Sequence, residues 1–284
     1  QADGIAATIH VDQDARATAD VTLPGQVVGA AQESGKIVSL PLPPMVSERG
    51  NTSTVTVHTG SPHPVKVKVP AVQLSSGTVA VIVREDGSEE VIRASVPAAD
   101  GIIAAVADGE IVKLLDNSKD FFDVSSHWAE EAIQFVAARE LFSGTAAETF
   151  TPDAPMTRAM AMTILAHLDG ADLPEGPVWY SASVHWAVDK GISSGEYPEH
   201  QVTREQLATM LYQYAGSPDT SNRELSFSDV EEISSYAREA VRWSVENGIL
   251  SGYGNDTLAP GRKATRAEAA AMMMRFIHAL NEMQ

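Results

Sequence analysis

The feature that most constrains this chain is a set of markers recurring three times in its second half. Phe135, Trp186 and Trp243 are each followed nine residues later by a glycine, Gly144, Gly195 and Gly252. Each is preceded seven residues earlier by another aromatic, Trp128, Trp179 and Tyr236. Seven residues make two helical turns, so each aromatic pair shares one helix face. From the glycine, the first and third sets run fourteen residues to the arginine of a Thr-Arg pair, Thr157-Arg158 and Thr265-Arg266. The second reaches Arg204 of Thr203-Arg204 in nine, so its loop is five residues shorter. The first and third sets also share an opening, Phe121-Phe122-Asp123-Val124 and Phe227-Ser228-Asp229-Val230, and a loop proline, Pro152 and Pro260, six residues before the arginine. Markers at matched offsets define a threefold internal repeat, each copy one supersecondary unit.

The first half has another texture. Thr54 to His58 and Val65 to Val69 alternate with period two, as half-buried antiparallel strands do. Thr78 to Val83 and Glu90 to Ala94 flank Asp86-Gly87, and Ile102 to Ala107 and Ile111 to Leu115 flank Asp108-Gly109, both read as hairpin turns. Leu40-Pro41-Leu42-Pro43-Pro44 reads as an extended connector. Residues 1–116 are therefore expected to form a small β-sandwich or barrel-like module. After Asp116-Asn117-Ser118, apolar residues fall at helical spacing in Glu130 to Glu140, Arg158 to Leu168, Arg204 to Tyr214, Tyr236 to Asn247 and Arg266 to Glu282. The fold class is α+β and multidomain, with an all-α unit behind the β module.

Composition narrows the chemistry. Lys and Arg number 20 against 38 Asp and Glu, a net charge of −18, which disfavours nucleic acid and anionic membrane surfaces as partners. Any acidic ligand must be held by a local cluster of cations. With 0 cysteines, thiol chemistry and Cys-based metal sites are excluded. No apolar run reaches the ~20 residues of a membrane span, so no membrane insertion is expected. Gln1-Ala2-Asp3-Gly4 carries no basic or apolar leader, so any signal peptide is expected to be already removed or to lie upstream. No EF-hand spacing, H-E-x-x-H, nucleophile elbow, P-loop or dinucleotide fingerprint occurs. Neither catalytic residues nor a metal or cofactor is expected.

The order F-x-D-V, W-A-x-E-A-I, loop glycine, F-x-P and T-R-A-E resembles the S-layer-homology family. His127-Trp128-Ala129-Glu130-Glu131-Ala132-Ile133 and Thr265-Arg266-Ala267-Glu268 carry the resemblance most fully. It extends over repeats at 119–172, 173–221 (shortened) and 222–284. It implies a pseudo-threefold trimer of repeats, each giving one helix to a central bundle. It also implies grooves that bind secondary cell-wall polysaccharide, often through a pyruvylated terminal sugar, and backbone amides near the glycine turn that face the ligand. The front is similar to a module often placed ahead of such repeats, and that similarity names no activity.

The candidate ligand residues follow from both readings. Thr203 with Gln206 and Thr265 with Glu268 fit a capping box, whereas the first repeat has Met160 in that place. The arginines that follow, Arg158, Arg204 and Arg266, oppose the helix dipole. Two readings stand side by side: free helix amides and a guanidinium converging on an anion, or an ion pair with an opening aspartate, Asp123 or Asp229. Trp128 and Phe135 are read as packing. Trp186 and Trp243 could offer ring faces to a sugar, with most of their surface in the core. Gly144, Gly195 and Gly252 read as helix C-caps with a second role near the ligand. The expected function is non-covalent anchoring of a secreted protein at the bacterial cell surface, with cell-wall polysaccharide as partner and unequal grooves. The alternatives are a surface-layer protein that self-associates into a lattice, or repeats that display an adhesive or carbohydrate-active front module.

Overall fold

The alternating segments of the front half fold into two sheets. The computed structural model describes residues 4–11, 17–46, 53–221 and 224–282. In chain order the first unit contains β1 (Ala6–Val11), β2 (Ala17–Thr22), α1 (Gly25–Ser34), β3 (Val38–Ser39), β4 (Met45–Val46), β5 (Thr54–His58), β6 (Val65–Val72), β7 (Thr78–Val83), β8 (Glu89–Val91), β9 (Val96–Ala98), β10 (Gly101–Val106) and β11 (Glu110–Asp116). One sheet runs β1-β2-β5-β11-β7-β8. The other runs β3-β6-β10-β9, with β4 also on β6. Val21, Val57, Val67, Val69, Ile102, Val106, Val112 and Leu114 come from both sheets and share one buried apolar cluster.

Three details depart from the sequence reading. The sheets are mixed: β2 pairs with β5, and β3 and β4 pair with β6, in parallel. A parallel pair needs a crossover, and α1, β3 and β4 supply it between β2 and β5. Helix α1 follows Pro24 and ends on Gly35 at φ 64, the left-handed stop that glycine favours. Asp86-Gly87 closes the β7–β8 hairpin, but Asp108-Gly109 does not close one. There β10 pairs with β6 and β9 while β11 pairs with β5 and β7, so the turn carries the chain from one sheet to the other. The Asp108 carboxylate accepts from the Thr59 and Gly60 amides at 2.7 and 2.8 Å, which fixes that corner.

This unit takes in more than the strands. It comprises the chain up to Asp120 together with Gln134–Glu140 and the residues from Asn281. Its polar centre is Arg139, fully buried. The guanidinium donates to the carbonyls of Ser95 (2.7 Å), Ser76 (3.0 Å), Thr78 (3.1 Å) and Phe135 (3.0 Å). It also lies 3.5 Å from the Phe135 ring centroid. Carbonyl dipoles and a ring face thus solvate the charge, and burial pushes its pKa down to about 9.

The second unit holds 121–133 and 141–280. Helices here are α2 (Glu130–Ala138, whose second half belongs to the first unit), α3 (Arg158–Leu168), α4 (Ser181–Asp189), α5 (Arg204–Tyr214), α6 (Arg238–Glu246) and α7 (Arg266–Glu282). A short 3-10 turn, Ser235–Ala237, leads into α6, so the helix expected from Tyr236 begins two residues later. Just before α3, α5 and α7, three buried residues exchange backbone hydrogen bonds. Met156 N donates to Ala264 O (3.0 Å), Ala264 N to Val202 O (2.9 Å), and Val202 N to Met156 O (2.9 Å). The three bonds close a ring. Phe150, Leu165, Leu211, Trp243, Leu258 and Phe276 of this unit are all buried.

Replacing Arg139 by Met should destabilise the β unit by about 3–5 kcal/mol, because several buried carbonyls lose a charged donor at once. Urea denaturation followed by circular dichroism reads this. Arg139→Lys should recover only part, since an ammonium cannot span the same carbonyls.

Candidate functional site

The site is built on the starts of α3, α5 and α7. Thr157, Thr203 and Thr265 stand before them, and each hydroxyl accepts the amide three residues on. Gln206 and Glu268 return the bond to the Thr203 and Thr265 amides, completing the box that Met160 cannot. The next amides are also taken. Arg158 N and Ala159 N donate to His200 O and Pro198 O, Arg204 N and Glu205 N to Arg262 O and Pro260 O, and Arg266 N and Ala267 N to Ala154 O and Pro152 O. The first three amides of each helix are therefore satisfied inside the protein.

The arginine side chains grip loops in a cyclic order. Arg266 Nε donates to Phe150 O (2.9 Å) and its Nη2 to Ser143 O (2.7 Å). Arg204 Nε donates to Leu258 O (3.1 Å) and its Nη2 to Ser251 O (2.5 Å). Arg158 Nε donates to Glu196 O (3.0 Å) and its Nη2 to Ser193 Oγ (3.0 Å). Arginine of the first segment thus holds the second loop, that of the second the third, and that of the third the first. Burial lowers the pKa of Arg266, opposed by the charge of Asp123.

The opening aspartates hold the same residues from the other side. Asp123 accepts from the amides of Phe150 (2.8 Å) and Thr151 (2.6 Å), and Asp229 from those of Leu258 (2.8 Å) and Ala259 (2.7 Å). Their oxygens are committed to amides, not to an ion pair with the Thr-Arg arginines. Phe150 and Leu258 are each clamped at N–H by a carboxylate and at C=O by a guanidinium. The clamp holds Thr151 and Ala259 at φ 57 and 50, a left-handed region that side chains disfavour. Burial works against ionisation of both aspartates, yet the amide donors keep their carboxyls below the ordinary 3.8.

Gly144 and Gly252 do not cap helices. A Cβ on Gly252 would lie 2.4 Å from the Phe227 ring, and one on Gly144 2.9 Å from the Phe121 ring. Their job is to let the opening phenylalanine approach the loop. Gly195 has φ 74 and would meet Val188. The left-handed positions after the helices are instead Glu140, Gly191 and Gly248.

The aromatics also redistribute. Trp243 is 2% exposed, with Phe276 edge-on at 6.2 Å and Tyr212 at 5.6 Å, so its faces are covered. Trp186 is half-buried beside Tyr214 and donates its indole N–H to Asp169 at 3.1 Å. Trp128, read as packing, is 64% exposed. The residues that sequence reasoning missed lie near it.

Trp128 borders a groove of about 360 Å³ with Asp153, Arg204, Gly252, Tyr253, Arg262, Glu268 and Arg275. At its floor Glu268 Oε1 stands 3.5 Å from Arg204 Nη1 and 3.4 Å from Arg262 Nη1. The Tyr253 hydroxyl donates to Glu268 and accepts from Arg262. Guanidinium carbons of Arg204 and Arg262 lie 4.7 and 5.0 Å from the Tyr253 ring centroid. Burial raises the Tyr253 pKa, and its bond to Glu268 adds to that rise. Arg275 donates to Ser251 Oγ at 2.8 Å.

Residues 120–161 and 226–270 match the S-layer homology domain model. Over these two segments the chain is similar to S-layer homology domains. The model matches the first and third sequence segments and not the shortened one between them, so two of the three repeats read from sequence are recognised. Similar proteins include an amylopullulanase of Thermoanaerobacterium thermosulfurigenes, 30% identical over 55% of this chain and 9% of that protein. They also include S-layer protein EA1 of Bacillus anthracis, 28% identical over 59% of this chain and 21% of its own length. A cellulosome-anchoring protein of Acetivibrio thermocellus is 28% identical over 34% of this chain and 22% of its own. The chain thus spans less than a quarter of each of these relatives.

Two outcomes test the clamp. Arg266→Met should cost the helical unit about 2–4 kcal/mol in urea denaturation, because Phe150 O and Ser143 O are left without a charged donor. Depressed aspartate pKa values contribute stability that is fully present above the ordinary value of 3.8 and is lost as pH falls through the folded-state value. Asp229→Asn should therefore flatten the pH dependence of the urea midpoint in that acidic window.

Proposed function

We propose that this chain anchors a protein non-covalently to the bacterial cell wall by binding wall polysaccharide at the helical unit. The observation that carries the reading is the groove beside Trp128, where three arginines and an exposed indole meet on an otherwise acidic chain. Guanidinium forks suit an anionic substituent and an open aromatic face suits the apolar side of a sugar ring. The S-layer homology matches, and relatives named as S-layer and cellulosome-anchoring proteins, favour a cell-surface setting. Among the described residues no helix is long and apolar enough to cross a membrane.

In this reading 173–221 is a third, shortened S-layer homology repeat, and the three segments form a pseudo-threefold trimer. The cyclic backbone ring and the cyclic order of the Arg158, Arg204 and Arg266 contacts support that arrangement. Of the residues singled out in the sequence, Arg204 and Gly252 border the groove. Arg158, Arg266, Asp123 and Asp229 shape loops, and Gly144, Gly195, Trp186 and Trp243 support them. The chain acts as an anchor and display module, and the enzyme names among its relatives describe those longer proteins.

The full chain should sediment with bacterial sacculi that retain their polysaccharide and stay in the supernatant with the same sacculi after hydrofluoric acid extraction. Equal sedimentation with both would refute polysaccharide anchoring. Relatives named S-layer proteins favour a second reading, self-association into a lattice. Analytical ultracentrifugation of the chain without wall material separates the two, since a lattice former should grow beyond the monomer.

A further inference from the structure

The three helix starts need not bind alike, and the backbone bonds at them define which residues correspond. The carbonyl that receives the arginine amide belongs to Arg262 for Arg204, to His200 for Arg158 and to Ala154 for Arg266. Nine residues after the Thr-Arg arginine that follows each of these stand Arg275, Gln213 and His167. A guanidinium thus occupies both positions in one place only, the groove bordered by Trp128.

The three guanidinium groups there are not equally available. Arg204 is 4% exposed and has spent Nε and Nη2 on the carbonyls of Leu258 and Ser251. Glu268, also buried, is bound by the Thr265 amide, the Tyr253 hydroxyl and the two arginines beside it. It neutralises about one of those charges and is held too firmly to leave. Arg275 has its hydrogen bond to a neutral hydroxyl, that of Ser251. Among the described residues no carboxylate pairs with it. The other acid at the rim, Asp153, is largely exposed and faces His127 at 3.7 Å. Three arginines against Glu268 and Asp153 leave the groove cationic within a chain of charge −18, and its volume of about 360 Å³ is that of a small-ligand site.

We propose that this groove is the single anion-binding groove of the helical unit, with Arg262 and Arg275 taking the charge of an acidic sugar while Trp128 receives its ring. Arg158, Arg204 and Arg266 are then positioning residues that hold the loops. This rests on the anchoring reading and narrows it: one ligand per chain, gripped by arginines outside the Thr-Arg motif.

The test is calorimetric titration of the full chain with wall polysaccharide released from Bacillus sacculi by hydrofluoric acid. One site per chain is expected. Arg275→Gln and Arg262→Gln should each weaken binding roughly ten- to a hundred-fold, the loss of one charge-assisted hydrogen bond, with the thermal melt of Arg275→Gln close to the parent. Arg275→Lys should restore part of the loss, and Gln213→Ala and His167→Ala should bind as the parent does. Added salt should weaken the parent more than Arg275→Gln. Two or three equivalent sites, or parental affinity in Arg275→Gln, would overturn the single groove while leaving anchoring in place. A parent chain that binds neither this polymer nor the sacculi that carry it would overturn the anchoring reading itself.

Discussion

Much of the helical unit depends on where three backbone amides go. Met156, Val202 and Ala264 each bond to one of the other two, and the ring they close sets the distance between the starts of α3, α5 and α7. A loop carbonyl then reaches each helix's first amides, and the arginine that follows reaches the next loop. The side-chain contacts are consequences of that spacing. None of the three bonds is strong alone, at about 0.5–1.5 kcal/mol net, but each lies in a dry centre where an unpaired amide would be expensive.

An arginine in the first turn of a helix looks like an electrostatic error. The dipole argument treats the charge as lying on the helix axis near free amides. Here the amides are already paired and the guanidinium has turned sideways to a neighbouring loop, where carbonyl oxygens supply the negative end of the interaction. Asp123 and Asp229 answer from across the same peptide units, accepting from the Thr151 and Ala259 amides. The motif is best understood as a clamp on one residue, Phe150 or Leu258.

Legibility in the sequence followed locality. Helices α3, α5 and α7 begin and end where the periodicity and the threonine caps put them, and the capping boxes at Thr203 and Thr265 formed with their expected partners. Strands of clear alternation, such as β5 and β6, were also legible. What escaped needed distant partners. Asp108-Gly109 has the residues of a hairpin, but the strands around it join different sheets. Trp128 and Trp243 both sit at helical spacing, yet only the latter is covered. Arg262 and Arg275 carry no motif, and only the fold brings them to Trp128. Arg139 stands in a helix-spaced segment, and its carbonyl partners lie up to 63 residues away in sequence.

The clamp from Arg266 to Ser143 spans 123 residues, and that to Phe150 spans 116. Contacts of such long range form late, because the loop between them must be closed before they contribute. The first segment therefore cannot reach its final loop geometry until the last helix has been made. Everything ahead of α7 can be made without its helical unit locked, and the lock engages only when α7 is in place.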